Sequence, residues 1–185
     1  MPGLKEEYDL LFLTDTHVVV MSEEDTIREK ASAGERKEQF QNEEGVYSAQ
    51  QFSDWMDYAK EMQPDAVLFG GDIIDSPSAG NVAFLVSELG ELQVPYLYTL
   101  GNHDWTYEWD YMTENAVEEY LPRLEQFMND SHALQSLDVG ELRIIAVDNS
   151  TNQIAEGIPE EYEKLLQTEQ KVIVMLHVPL ITQSV

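Results

Sequence analysis

Five short apolar runs, each closing on a polar cluster, set the rhythm of this chain. Residues 8–14, 66–69, 94–99, 142–147 and 171–176 are rich in β-branched and aromatic side chains and read as strands. The first is apolar enough to predict burial on both faces. Between them lie stretches with helical spacing. After Ser48, the residues Phe52, Trp55, Met56 and Ala59 recur at intervals of three and four, predicting a helix that buries this stripe and ends at Pro64. Val82, Leu85, Val86 and Leu89 predict a second buried stripe over 81–91. A third helix is expected over 115–128, bent or broken at Pro122. A fourth, over 159–167, starts with Pro159 and two glutamates, which suit a helix N-terminus. Residues 22–44 show no apolar period. They predict an exposed excursion, partly helical around 25–39. Strands alternating with helices imply a layered α/β domain, here read as one domain over 1–185.

The polar clusters carry the candidate chemistry. In open α/β sheets, ligand sites lie beyond the carboxyl ends of the strands. The first run ends in Asp15-Thr16-His17, whose two outer residues share a side if the chain stays extended. The second ends in Gly70-Gly71-Asp72-Ile73-Ile74-Asp75, where paired glycines let backbone approach a ligand. The third ends in Gly101-Asn102-His103-Asp104, offering an amide oxygen and an imidazole. The fifth ends in His177. Separately each is an ordinary turn or a structural histidine. Together they place Asp15, His17, Asp72, Asn102, His103 and His177 at one edge of a sheet.

Composition narrows the chemistry. The chain has no cysteine, so a metal would be held by His, Asp, Glu or Asn. Such ligands suit Mn, Fe, Zn or Co. Acidic residues outnumber basic ones 36 to 10, for a net charge of −26. That field repels polyanions, so no long nucleic acid is expected as a partner. No run is long enough to span a membrane and the first residues are not those of a secretory signal, so the expected compartment is cytoplasmic. The aromatic stretch from Trp105 to Tyr111 fits either a pocket wall or packing beneath a loop. His132 reads as a surface histidine.

The order Asp15-Thr16-His17, Gly71-Asp72-Ile73-Ile74-Asp75, Gly101-Asn102-His103-Asp104, then His177 after a buried strand, resembles the calcineurin-like metallophosphoesterases from residue 8 to 180. The resemblance implies a four-layer αββα sandwich of two mixed sheets. It implies two divalent metal ions, with Asp15 and His17 on the first, Asn102 and His177 on the second, and Asp72 bridging both. His103 would be a non-ligand catalytic histidine, and Asp75 the carboxylate that pairs with it. A small phosphate ester, monoester or diester, would be hydrolysed by water activated between the metals. A nuclease on the same centre, or an inactive scaffold of the same fold, are the alternatives. The family's last motif, Gly-His-X-His, gives one ligand per metal and does not follow His177 within the 185 residues. The expectation is therefore a domain lacking its C-terminal part, with weakened metal binding.

Overall fold

The three parallel strands Leu10–Leu13 (β1), Ala66–Phe69 (β2) and Tyr96–Tyr98 (β3) pair in sequence order, with Leu11 opposite Val67 and Val67 opposite Tyr96. In this computed structural model, residues 3–110, 112–129 and 131–180 are described. A second sheet is ordered Leu134–Val139 (β4), Leu142–Val147 (β5), Lys171–Met175 (β6). Its β4 and β5 are antiparallel, while β5 and β6 are parallel. The mixed character expected of both sheets therefore belongs to the second; the first is parallel throughout its described strands.

Strand alternation builds two cores from these sheets. On β2, Ala66 and Leu68 face one way and meet Leu142, Ile144, Ala146 and Met175 of the second sheet. Val67 and Phe69 face the other way, against Phe52, Met56 and Ala59 of helix Ser48–Met62 (α2) and Leu85 and Leu89 of helix Ala79–Gly90 (α3). Burial of such side chains stabilises each by roughly 1.5–3 kcal/mol. On the outer side of the second sheet, helix Ile158–Leu165 (α6) lies over Val147 and Val174, and Arg143 Nη1 donates to Leu165 O at 3.2 Å. The layers run helix, sheet, sheet, helix.

The remaining helices are Ile27–Lys37 (α1), the four-residue Asn102–Trp105 (α4) and Glu114–Tyr120 (α5). The expected third helix stops at Tyr120, and two 3-10 turns, Leu121–Arg123 and Glu125–Phe127, replace its second half around Pro122. Three burial expectations are corrected. Trp55 is 46% exposed on α2, and Val86 is also exposed on α3; in each helix the buried stripe is narrower than the apolar spacing suggested. Phe12 is 54% exposed, on the edge strand of the first sheet among the described residues. In the aromatic stretch Trp105 and Tyr107 are packing, since both are buried, while Tyr111 lies outside the described residues. No helix among the described residues is long and apolar enough to cross a membrane.

Candidate metal centre

The pairing between the first two strands does not stop where regular strand geometry stops. Asp15 N donates to Gly71 O at 3.0 Å, His17 N to Asp72 O at 3.0 Å, and Val18 N to Ile73 O at 2.8 Å. The two clusters that follow β1 and β2 are thus laced together by backbone. Within this lacing Asp15, His17 and Asp72 all take left-handed backbone, with φ of 53°, 42° and 51°. Each such residue costs roughly 1–3 kcal/mol unless its surroundings enforce it. Three of the five non-glycine residues with left-handed backbone among the described residues are thus candidate ligands at this edge. They also correct one expectation: the chain is not extended at Asp15 and His17, so their side chains are aimed by curled backbone and not by strand alternation.

Asp104 enforces this arrangement. It is fully buried, and its carboxylate accepts Asp72 N and Gly101 N at 2.9 and 2.7 Å on Oδ2. Its Oδ1 accepts Ile73 N, Ile74 N and Tyr98 Oη at 2.9, 3.1 and 2.9 Å. Burial pushes its carboxyl up to about 6, helped by the Asp72 charge and opposed by these donors. At neutral pH it is the anion that the five donors require. Gly101 must be glycine for the same packing: a Cβ there would lie 2.1 Å from Asp72 Oδ1 and 2.3 Å from Asp72 N.

The candidate ligands converge on Asp72. His177 Nε2 lies 3.2 Å from Asp72 Oδ2, and His17 Nε2 lies 3.9 Å from the same oxygen. The other oxygen, Oδ1, accepts the His103 amide at 2.9 Å. Asn102, half-buried, is the first residue of α4, between Gly101 and His103. Donor atoms of Asp15, Asp72 and His177 lie within 4.8 Å of one another, as do those of His17, Asp72 and His103. Asp72 is common to both groups.

The donor chemistry fits cations. His177 Nδ1 sits 2.9 Å from Gly70 O, which only accepts, so Nδ1 carries the proton. In the neutral ring Nε2 then presents its lone pair to the Asp72 side, the usual arrangement of a metal-binding histidine. Without a cation, that nitrogen faces a carboxylate and takes a proton instead: Asp72 raises the His177 pKa to about 9. Burial pushes the Asp72 carboxyl upward, but His177 and the His103 amide hold it below its ordinary value.

Asp75 lies just behind. Its Oδ1 is 3.2 Å from His103 Nδ1 and 3.3 Å from His17 Nδ1. Arg36, from α1, grips both its oxygens, with Nε donating to Oδ2 at 2.6 Å and Nη2 to Oδ1. Burial opposes ionisation of Asp75, yet Arg36, His103 and His17 hold its carboxyl far below the usual range. The same partner raises the His103 pKa. Phe40 completes the enclosure, stacked on His17 with centroids 4.5 Å apart and planes 3° from parallel.

Comparison with protein families settles the kinship. The family model described as calcineurin-like phosphoesterase matches residues 8–184. The chain belongs to the calcineurin-like phosphoesterase family. Among solved structures it is similar to a dimetal phosphatase from Danio rerio, at 16% identity and a TM-score of 0.44. That match covers 76% of this chain and 44% of the other, so the chain spans less than half the length of that structure. Comparison with curated proteins finds no match.

All seven residues singled out from the family's motifs come to one edge of the fold. Asp104, Arg36 and Phe40 join them there, beyond those seven residues. In the sequence Asp104 is only the end of a motif. Its signal was available, since an acid three residues after a glycine can reach back to that glycine's N–H. Arg36 had no signal, because it lies 39 residues from Asp75 in a stretch without apolar pattern.

Proposed function

We propose that this chain provides the metal-binding half-site of a phosphoesterase that hydrolyses small phosphate esters. Asp15, His17, Asp72, Asn102 and His177 are the residues that would hold two divalent cations, Mn, Fe, Zn or Co. Bound there, such ions would neutralise the phosphoryl oxygens and acidify a water. The observation that carries this reading is Asp72: its Oδ2 lies 3.2 Å from His177 Nε2 and 3.9 Å from His17 Nε2, and its carboxylate groups with Asp15 and His177 within 4.8 Å.

The protein's own residues supply the rest. His103 is held by its amide on Asp72 and by Nδ1 facing Asp75, which leaves Nε2 to give a proton to the departing oxygen. Acid catalysis of this kind contributes typically about 10²- to 10⁴-fold. Asp75 fixes which nitrogen does so, and Arg36 keeps Asp75 ionised. The acidic surface offers no anchor for long polyanions, which favours a small ester over a polymer.

Asp72→Asn tests the reading. Metal content by elemental analysis and turnover of an aryl phosphate are both expected to collapse. Retention of both would refute it. Comparison of a monoester, a diester, a cyclic nucleotide and single-stranded DNA tests the substrate class; cleavage of the DNA alone would select the nuclease.

A further inference from the structure

The residues of the metal centre come from both sheets. Asp15, His17, Asp72, Asn102 and His103 follow strands of the first, whereas His177 alone follows a strand of the second, β6. Its ring reaches across to Gly70 O and stands against Gly71, where a Cβ would lie 2.6 Å from His177 Nδ1. A ring with so little room meets Asp72 only if the backbone beneath it is held. Regular pairing does not hold it, because the ladder between β5 and β6 ends at Ala146 and Met175.

The fourth apolar run, β5, closes on Asp148-Asn149-Ser150, and this cluster takes over where the ladder stops. Asn149 is buried, and its carboxamide clasps the residue after His177. Its Nδ2 donates to Val178 O at 2.6 Å, and its Oδ1 accepts Val178 N at 3.0 Å. Asn149 and Val178 are 29 positions apart, the same offset as Ala146 and Met175. One side chain thus presents the donor and the acceptor that a neighbouring strand would, in unbroken register.

Ser150, also buried, makes a second tie. Its Oγ accepts Trp105 Nε1 at 2.8 Å, and Trp105 is the last residue of α4, the helix that carries Asn102 and His103. Asp148 Oδ1 accepts Ser150 N at 2.9 Å and shapes the turn between the two ties.

We propose that Asn149 and Ser150 are positioning residues of the metal centre, a brace that holds His177 of the second sheet in place against Asn102 and His103 of the first. Both act through the residues they hold. Their service to a metal rests on the phosphoesterase reading; the brace on the histidines does not.

Asn149→Asp, of nearly the same shape, keeps the acceptor for Val178 N but sets a second oxygen against Val178 O. Proton–carbon NMR of the full chain in chelator follows the rings of all four histidines. Asn149→Asp is expected to displace the His177 ring signal and leave those of His17 and His103 in place. Ser150→Ala leaves the Trp105 indole N–H unpaired, so that N–H signal and the His103 ring should move while His177 stays. In Asn149→Asp the affinity for Mn²⁺ should also fall about 10- to 100-fold, the usual cost of losing a partner that orients a ligand. A structural role alone would lower Tm yet leave the ring signals of the folded protein unchanged; that result in either variant overturns the role of its residue. Parental Mn²⁺ affinity in Asn149→Asp overturns it as well. Should the buried carboxylate prevent folding, Asn149→Ser removes the clasp without adding charge and carries the same expectations. If the parent chain binds no Mn²⁺ while Asn149→Asp still displaces the His177 ring alone, the brace stands and the phosphoesterase reading falls.

Discussion

The floor of the metal centre and the strap that crosses it are built by opposite means. The floor, residues 70–75 with 99–104, is almost entirely buried and tied by backbone donors to one internal carboxylate, Asp104. The strap, α1 with its flanks, buries no residue of its helix at all. Its contacts are polar: Arg36 on Asp75, Ser32 Oγ on Glu108 at 3.1 Å, Tyr107 Oη on Glu29, and Arg28 over the Trp109 ring at 4.1 Å. Ile27, the one large apolar residue of α1, is 90% exposed. The floor is therefore part of the global folding unit, whereas the strap opens at little cost in buried surface. Strained ligands need the first kind of support. A group that adjusts the histidines from outside can be carried on the second.

The sharpest way to break the contrast is at Asp104. In Asp104→Asn one acceptor oxygen becomes an NH₂ group facing backbone N–H donors. Two or three buried donors are left unpaired, each worth about 1–3 kcal/mol. A loss of about 3 kcal/mol is expected, or about 6–12 °C in Tm for a chain of this size, together with loss of metal. A Tm within two degrees of the parent would show that the floor is not held as described.

Gly101→Ala is next. The added methyl overlaps Asp72 backbone and carboxylate, so the floor must shift at the shared ligand itself. Overpacking of this kind costs about 1–3 kcal/mol, and metal affinity is expected to fall more steeply than Tm. Titration with Mn²⁺ alongside thermal melting separates the two effects. Unaltered affinity would mean that Asp72 tolerates displacement.

The floor and the strap also differ in how far the sequence revealed them. The floor was legible because its residues follow apolar strands, and short motifs keep their spacing whatever surrounds them. What pattern could not show was curvature: the left-handed turns at Asp15, His17 and Asp72 go with backbone hydrogen bonds between residues 55 and 56 positions apart. The strap was legible only as exposed and partly helical, which its lack of buried residues explains. β4 escaped notice because its inward positions include Gln135, which is buried and donates to Tyr98 O at 2.8 Å. A polar residue satisfied by a neighbouring sheet breaks apolar alternation without breaking the strand. Trp55 departs from its expected burial for a related reason: helical spacing identifies a stripe but not the width that the sheet beneath can cover.

On the strap, Arg36→Gln sharpens the comparison. Asp75 loses its bidentate partner, while α1 loses no buried apolar contact. Removing such a partner of a ligand environment typically costs about 10- to 100-fold in metal affinity or activity. The expected result is that loss with Tm nearly unchanged. Arg36→Lys should recover little, since an ammonium cannot grip both oxygens in the same plane. A parallel fall in Tm would make Arg36 structural and the strap part of the folding unit.

The smallest effect is expected at Glu29, where one side chain performs two tasks. Its Oε2 accepts Thr26 N at 2.7 Å while Thr26 Oγ1 accepts Glu29 N at 3.2 Å, closing a capping box at the start of α1. Its Oε1 accepts the Tyr107 hydroxyl and ties the strap to the body. Glu29→Ala removes both, at about 1 kcal/mol for the cap. Because α1 buries no side chain, that loss should stay local: amide exchange over 31–37 accelerates about fivefold, while β2 amides and Tm hold. Acid should do the same in the parent chain. Burial raises the Glu29 carboxyl, but Tyr107 and the Thr26 donors outweigh it and lower its pKa in the folded state. A depressed carboxyl contributes its stabilisation above the unfolded value of about 4.3 and loses it as pH falls toward the folded one. Strap amides in the parent should therefore gain opening frequency below about pH 4, relative to β2. In Glu29→Ala that acid-dependent step should be absent. Acceleration of β2 together with the strap, in either arm, would mean that the two regions open as one.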